Sequence, residues 1–259
     1  MSEGRYELKY IIAEEDCPAL LDLAAPHVSL DANARPMPSG RKGYVVSSVY
    51  LDDPELGGYT ERLNMDRVRN RVRVRTYGAR GQGAPVFLEA KRKLDDQVIK
   101  HRVKVSDAET WATLGDRPWQ HVLEGLTRAQ RAIADRFVAH VDGRNMVPVC
   151  TVRYEREIFV EGTSRLTLDR FVQGVSNPPA HDLYAPADLR LIPEGWVVLE
   201  LKFNGQMPGW MRVLNRAMKL RAEPVSKFAL GVGHALRADR PQEIRMITPP
   251  TIRRFQGAA

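Results

Sequence analysis

Cysteine is scarce in this chain: two among 259 residues, Cys17 and Cys150. Two distant thiols make neither a disulfide framework nor a metal knuckle, and they point to a reducing compartment. No apolar run is long enough to span a bilayer and no export signal is recognisable, so a cytoplasmic protein without a transmembrane segment is expected. No Pro/Gly/Ser-rich or charge-blocked stretch reads as a long linker, which favours one domain over two. No internal repeat stands out. Aromatic residues make up only 7% of the chain. Sheet-based RNA readers present aromatics on the same face as their basic residues. Here the most basic strand pattern ends in Tyr77 alone, so nucleic acid is a disfavoured partner.

What the chain does have is positive charge, with 39 Lys and Arg against 32 Asp and Glu and a net charge of +7. That balance favours anionic partners, whether nucleic acid, anionic lipid or phosphorylated metabolites. Its arrangement says more. From Arg69 to Tyr77 the chain reads as a strand with Arg69, Arg71, Arg73 and Arg75 on one face and Val72 and Val74 on the other. Like charges roughly 7 Å apart repel by about 2 to 3 kcal/mol per pair at an effective dielectric near 20, which a standing anion would relieve. Other segments repeat the pattern. Arg5, Glu7 and Lys9 alternate with Tyr6, Leu8 and Tyr10; Glu89, Lys91 and Lys93 follow Val86, Phe87 and Leu88. Lys100, Arg102 and Lys104 alternate with Val103 and Val105, and Glu200 and Lys202 with Leu199, Leu201 and Phe203. One such strand reads as a solvated outer face. Several together predict an α+β fold in which an antiparallel β-barrel closes around a polar, basic lumen, its apolar faces packed outward against helices.

Strands are expected near 5–12, 44–52, 69–77, 86–93, 98–105, 149–160, 165–172 and 196–203. Asp16 is expected to cap a first helix carrying Pro18 in its first turn. Residues 107–140 read as helical, and further helices are expected over 210–220 and 227–237. Gly78, Gly81 and Gly83 do not sit between a strand and a helix, so a nucleotide-binding glycine loop is rejected.

The ordered segments RYELKY (5–10), VRVRTYG (72–78), FLEAKRK (87–93), KHRVKV (100–105), VRYEREIF (152–159), RLTLD (165–169), VVLELKF (197–203) and VSKFALG (225–231) resemble the VTC domain of polyphosphate polymerases. That family is a branch of the triphosphate tunnel metalloenzymes. The resemblance implies a tunnel domain over 1–239, with 240–259 as a loosely ordered tail, and a tunnel that binds triphosphate and a growing polyphosphate chain. It places Lys9, Lys91, Lys100, Arg102, Arg165 and Lys202 along the phosphates. Arg73 and Arg75 form a clamp, and Arg156 and Lys227 lie at the reacting end. Glu200 would hold a divalent metal, Mn2+ or Mg2+. Tyr154 would stack on the nucleotide base, the alternative being a buried core tyrosine. Glu7 and Glu89 are expected to pair with neighbouring arginines.

The implied activity is a metal-dependent phosphotransferase that moves the γ-phosphate of ATP to inorganic polyphosphate and releases ADP. Fixed guanidinium and ammonium groups suit such a transfer, which depends on positioning and charge stabilisation rather than on a side-chain nucleophile. The triphosphatase branch opens with Glu-x-Glu-x-Lys, whereas this chain has Arg5-x-Glu7-x-Lys9, which lowers the case for a two-metal hydrolase. A tunnel triphosphatase and a non-catalytic polyphosphate-binding module are the rival readings.

Overall fold

The computed structural model describes residues 4–94 and 97–236; the expected tail at 240–259 lies outside them. The strands are β1 (Arg5–Ala13), β2 (Ser29–Leu30), β3 (Arg35–Pro36), β4 (Lys42–Asp52), β5 (Val68–Tyr77), β6 (Pro85–Leu94), β7 (Gln97–Asp107), β8 (Val147–Glu161), β9 (Ser164–Ser176), β10 (Leu189–Arg190) and β11 (Trp196–Asn204). They form one antiparallel sheet whose main path runs β1-β11-β9-β8-β4-β5-β6-β7, with the three short strands on its flanks. The helices are α1 (Cys17–Ala24), α2 (Gly57–Leu63), α3 (Ala108–Ala112), α4 (Arg128–Gly143), α5 (Gly209–Ala217) and α6 (Lys227–Leu236).

Alternation sorts the two faces as expected. The outward side chains of β4 to β7, among them Val49, Leu51, Val72, Val74, Leu88 and Val103, pack against Trp111, Trp119, Phe137 and Val141. Those of β1, β9 and β11, including Tyr10, Leu166, Leu168, Leu199 and Leu201, pack against Leu20, Trp210, Met211 and Leu214. Each fully buried aliphatic side chain contributes about 1.5 to 3 kcal/mol, so these outer layers fix which strand face is left to the charges.

The expected closed barrel is not formed. β1 and β7 are the two ends of the hydrogen-bonded path, and among the described residues they share no ladder. The interior explains this: α6 lies inside the curl, where Val225, Phe228, Ala229 and Val232 pack with Ile11, Val46, Tyr50, Cys150, Val152, Val172 and Val198. Eight strands closed into a barrel leave room for side chains or one small ligand, whereas a helix with its side chains is about 10 Å across. Gly231 makes the fit possible, since a Cβ there would lie 2.8 Å from the Cys150 Sγ.

Three local expectations are corrected. Asp16 gives α1 no side-chain cap, and a short 3-10 turn over Glu14–Asp16 leads into the helix. Residues 107–140 are not one helical stretch. Gly115 and Gly125, both at positive φ, and Pro118 break it into α3, a 3-10 turn and α4. α2 was not anticipated: Asp53 accepts from the Gly57 amide at 2.8 Å and Asp52 from those of Gly58 and Tyr59 at 2.9 and 2.8 Å, so the carboxylate that ends β4 and the one after it start a helix whose sequence carries two glycines.

Candidate functional site

Period-two alternation on seven strands brings the charged residues onto the concave face, and the register places them opposite one another. Lys9 lies opposite Glu200 and Glu7 opposite Lys202, while Lys202 also faces Arg165 and Arg156 faces Asp169. On the other wall Arg73 lies between Tyr50 and Glu89, Glu89 faces Arg102, and Lys91 lies between Arg71 and Lys100.

The β1, β8, β9 and β11 wall is ordered around two buried carboxylates. Asp169 is 0% exposed and accepts two bonds from Arg156, at 2.5 Å from Nε and 2.6 Å from Nη2. Its other neighbour is the Lys227 ammonium at 2.5 Å. Glu200, 3% exposed, meets Lys227 at 3.1 Å and Lys9 at 3.7 Å on Oε1, and Lys202 at 2.8 Å and Arg156 at 3.2 Å on Oε2. Burial alone would raise the Glu200 pKa, but Lys227, Arg156, Lys9 and Lys202 outweigh it and hold the carboxyl well below its usual value. Lys227 shows the converse: burial opposes its charge, yet Asp169 and Glu200 raise its pKa. It opens α6, whose position inside the curl delivers the ammonium to the two carboxylates.

The β5, β6 and β7 wall carries a surplus of cations. Arg71, Arg73, Arg75, Lys91, Lys100 and Arg102 share Glu89, which meets Arg73 at 2.6 Å, Lys100 at 3.3 Å and Arg102 at 3.2 Å. Burial pushes the Glu89 pKa up, but Arg73, Arg75 and Lys100 bring it down to about 2. Arg75 donates to Ser48 Oγ at 2.8 Å and Arg73 to the Tyr50 hydroxyl at 3.1 Å. Arg102 stacks 3.8 Å from the Phe87 centroid and 5.1 Å from that of Tyr77. Burial lowers the pKa of Lys91 to about 8, with Arg71, Lys9 and Arg73 adding to the shift and Glu7 opposing it.

The VTC domain family model matches residues 4–235. The chain belongs to the VTC domain family. No curated protein matches the sequence. Solved structures similar to this VTC domain are distant. A Vibrio parahaemolyticus protein described as an adenylate cyclase candidate is 12% identical, with 89% of this chain and 98% of that one covered at a TM-score of 0.45. A Pyrococcus horikoshii protein is 12% identical over 89% and 99% at 0.45. The Hippeastrum adenylyl cyclase candidate HpAC1, described as revealing a dominant triphosphatase activity, is 16% identical over 86% and 93% at 0.49.

In this VTC domain, sequence reasoning picked out Lys9, Glu200, Lys202, Arg156 and Lys227 on one wall and Arg73, Arg75, Lys91, Lys100 and Arg102 on the other. All ten lie on the concave face or at its α6 plug. Arg165 sits opposite Lys202 and is exposed, so it lies at the rim. Tyr154 is 3% exposed, with the Arg156 Cζ 5.1 Å and the Lys227 Nζ 4.9 Å from its ring centroid. Glu89 pairs with arginines as expected. Glu7 does not: its neighbours are Lys9 at 3.2 Å and Lys202 at 4.0 Å, because β1 pairs with β11 and not with the arginine strand. Two residues were missed. Asp169 lies within RLTLD with no role expected of it, and Arg71 lies on the basic face with none. The period-two step from Arg165 and the Arg-x-Arg repeat, respectively, would have found them.

The tunnel-metalloenzyme resemblance implies a divalent ion at Glu200. Among the described residues no three His, Cys, Asp or Glu side chains come together to hold a metal ion. Glu200 is already surrounded by four cationic groups. The chain's own residues therefore do not make a metal site by themselves.

Proposed function

We propose that this VTC domain is a phosphotransferase that extends inorganic polyphosphate with the γ-phosphate of ATP. The observation that carries the reading is a buried Arg156–Lys227 pair, held by Asp169 and Glu200, facing a wall of surplus cations in one curled sheet. A terminal phosphate oxygen of the chain forms the new bond to the γ-phosphorus. The bond from that phosphorus to the β,γ-bridging oxygen breaks, and ADP leaves with the electron pair. Arg156 and Lys227 offset charge on the transferring group, and Arg73 and Arg75 clamp the adjoining phosphates through their planar forks. Lys9, Lys91, Lys100, Arg102, Arg165 and Lys202 line the path of the remaining phosphates. Tyr154, 3% exposed and packed in the core around α6 beneath Arg156 and Lys227, favours the core-tyrosine reading over base stacking.

The deciding experiment incubates pure protein with ATP, manganese and a short polyphosphate primer and resolves the products on a gel. Longer chains with stoichiometric ADP are expected. Orthophosphate without chain growth would make the domain a tunnel triphosphatase. Retention of polyphosphate with no turnover would make it a binding module.

A further inference from the structure

The back of the arginine wall carries a cleft of its own. On the outward face the side chains stand in rows across β5, β6 and β7: Val74, Leu88 and Val103 abreast, then Val72, Ala90 and His101, then Asn70, Arg92 and Ile99. The first row is buried and shares a core with Phe137 and Val141 of α4. In the second row the small Ala90 stands between larger neighbours, and there the sheet and α4 part to leave a cleft of about 410 Å³. Val72, Ala90, Ile99 and Phe137 give it an apolar floor, while Arg92, His101, Arg136 and His140 surround that floor with guanidinium and imidazole groups.

Arg136 and His140 are one helical turn apart on α4 and so share one side of it. No Asp or Glu lines the cleft, and among the described residues none of these four side chains makes an ion pair or a hydrogen bond. Burial lowers the pKa of His140, and Arg144 and Arg92 add to the shift while Glu61 opposes it, so charge on β6 is felt on α4 across the opening. Ligand pockets of about 300 to 1,000 Å³ are mostly apolar with a few polar groups that fix orientation, and here those groups are basic and lack a counter-charge. We propose that this cleft binds a small phosphorylated ligand with an aromatic or apolar body, at a site separate from the tunnel. Arg92 and Arg136 take the phosphate oxygens in their planar forks, His101 and His140 donate N–H groups to them, and the body covers Val72, Ala90 and Phe137. Polyphosphate has no apolar part and would leave that floor wet. Arg71 and Lys91, next in sequence to Val72 and Ala90, serve the concave face, so the two sites stand back to back on one sheet. The inference goes beyond the phosphotransferase reading and stands without it.

Calorimetric titration of the full chain with naphthyl phosphate, a phosphate monoester on an apolar ring system, tests this. Saturable binding is expected, with naphthol and inorganic phosphate each at least about 10-fold weaker, since each keeps only part of the contacts. Arg92→Gln and Arg136→Gln should each weaken naphthyl phosphate by about 10-fold or more, the usual weight of a hydrogen bond to a charged group. Both residues are exposed, so these variants keep the fold, as their melting temperatures report. Ala90→Leu fills the hollow with an apolar side chain and should abolish binding. The double variant Arg73→Ala/Arg75→Ala, altered only on the concave face, should bind the probe like wild type. No binding to wild type, naphthol or inorganic phosphate binding as tightly as the ester, affinity untouched by Arg92→Gln and Arg136→Gln, or affinity lost with Arg73→Ala/Arg75→Ala would overturn the proposal.

Discussion

Asp169→Asn removes one negative charge at nearly constant volume from the most buried carboxylate of the concave face. In the folded protein that carboxylate holds Arg156 in a two-pronged contact and Lys227 at 2.5 Å. Deleting one partner of a buried ion pair costs about 3 to 5 kcal/mol because the other charge is left uncompensated. Asparagine still offers Arg156 one acceptor, and Glu200 still neutralises part of the cluster, so the lower end, about 3 kcal/mol, applies. For a chain of this size that corresponds to a melting temperature lower by roughly 6 to 12 °C. A bound polyanion should restore much of this, since its oxygens supply the charge the variant lacks. Turnover should fall more than affinity: the tunnel becomes more positive, but Arg156 and Lys227 are no longer held in register, and misplacement on the ångström scale costs roughly 100-fold in rate. Scanning fluorimetry with and without tripolyphosphate, beside steady-state kinetics, reads all of these. A variant that melts within 2 °C of wild type (roughly 1 kcal/mol or less) and keeps its kcat would refute the view that Asp169 orders the reacting end.

Replacing Arg73 or Arg75 with alanine should reduce polyphosphate affinity and turnover far more than replacing Arg128, an exposed residue of α4; lysine should rescue only in part because it keeps charge without the planar fork, and full activity of the double alanine variant would return the arginine strand to an ordinary solvated face. Lys227→Ala should lower kcat by orders of magnitude with a modest loss in polyphosphate affinity, because the opposite wall still holds the chain; equal losses in both would take Lys227 away from the reacting centre. Lys91, with a pKa of about 8, loses its proton as pH rises through that value, so affinity measured calorimetrically should weaken above pH 8. Tyr77, where burial opposes ionisation but Arg75 brings the pKa down to about 8, gains negative charge over the same interval and acts in the same direction. Lys91→Gln should flatten the Lys91 part of this slope, and affinity independent of pH from 7 to 10 would contradict the assignment.

The two-faced strands were legible because alternation depends only on neighbours in sequence: Arg71, Arg73 and Arg75 had to share a face once β5 existed. Which wall each face joins depends on strand order, and that is non-local. Glu7 was therefore matched with arginines although β1 lies beside β11. Asp169 escaped notice for a related reason. A lone aspartate two residues after Thr167 carries no motif of its own, and it gains its role from Arg156 on β8 and Lys227 on α6, 13 and 58 positions away in sequence. The open sheet had the weakest local signal. Nothing in Lys227–Leu236 distinguishes a helix that coats a barrel from one that enters it, except that Gly231 removes the side chain that would collide with Cys150.

The division of charge between the two walls also bears on where the chemistry sits. On the β5–β7 wall six cations share one carboxylate, and the repulsion left over, about 2 to 3 kcal/mol for each pair near 7 Å, is offset only in part by rings such as Tyr50, Tyr77 and Phe87. Those cations gain most from any polyanion and are indifferent to which phosphate of a chain they meet. On the opposite wall Lys9, Arg156, Lys202 and Lys227 are nearly balanced by Glu7, Asp169 and Glu200. They gain less from binding as such, but their positions are set before substrate arrives. Transition-state stabilisation rewards groups that need no reorganisation, whereas holding a long chain rewards net charge. On the proposed phosphotransferase reading, the arginine wall would grip the polyphosphate, and its reacting end would meet the wall where carboxylates have already aligned the cations.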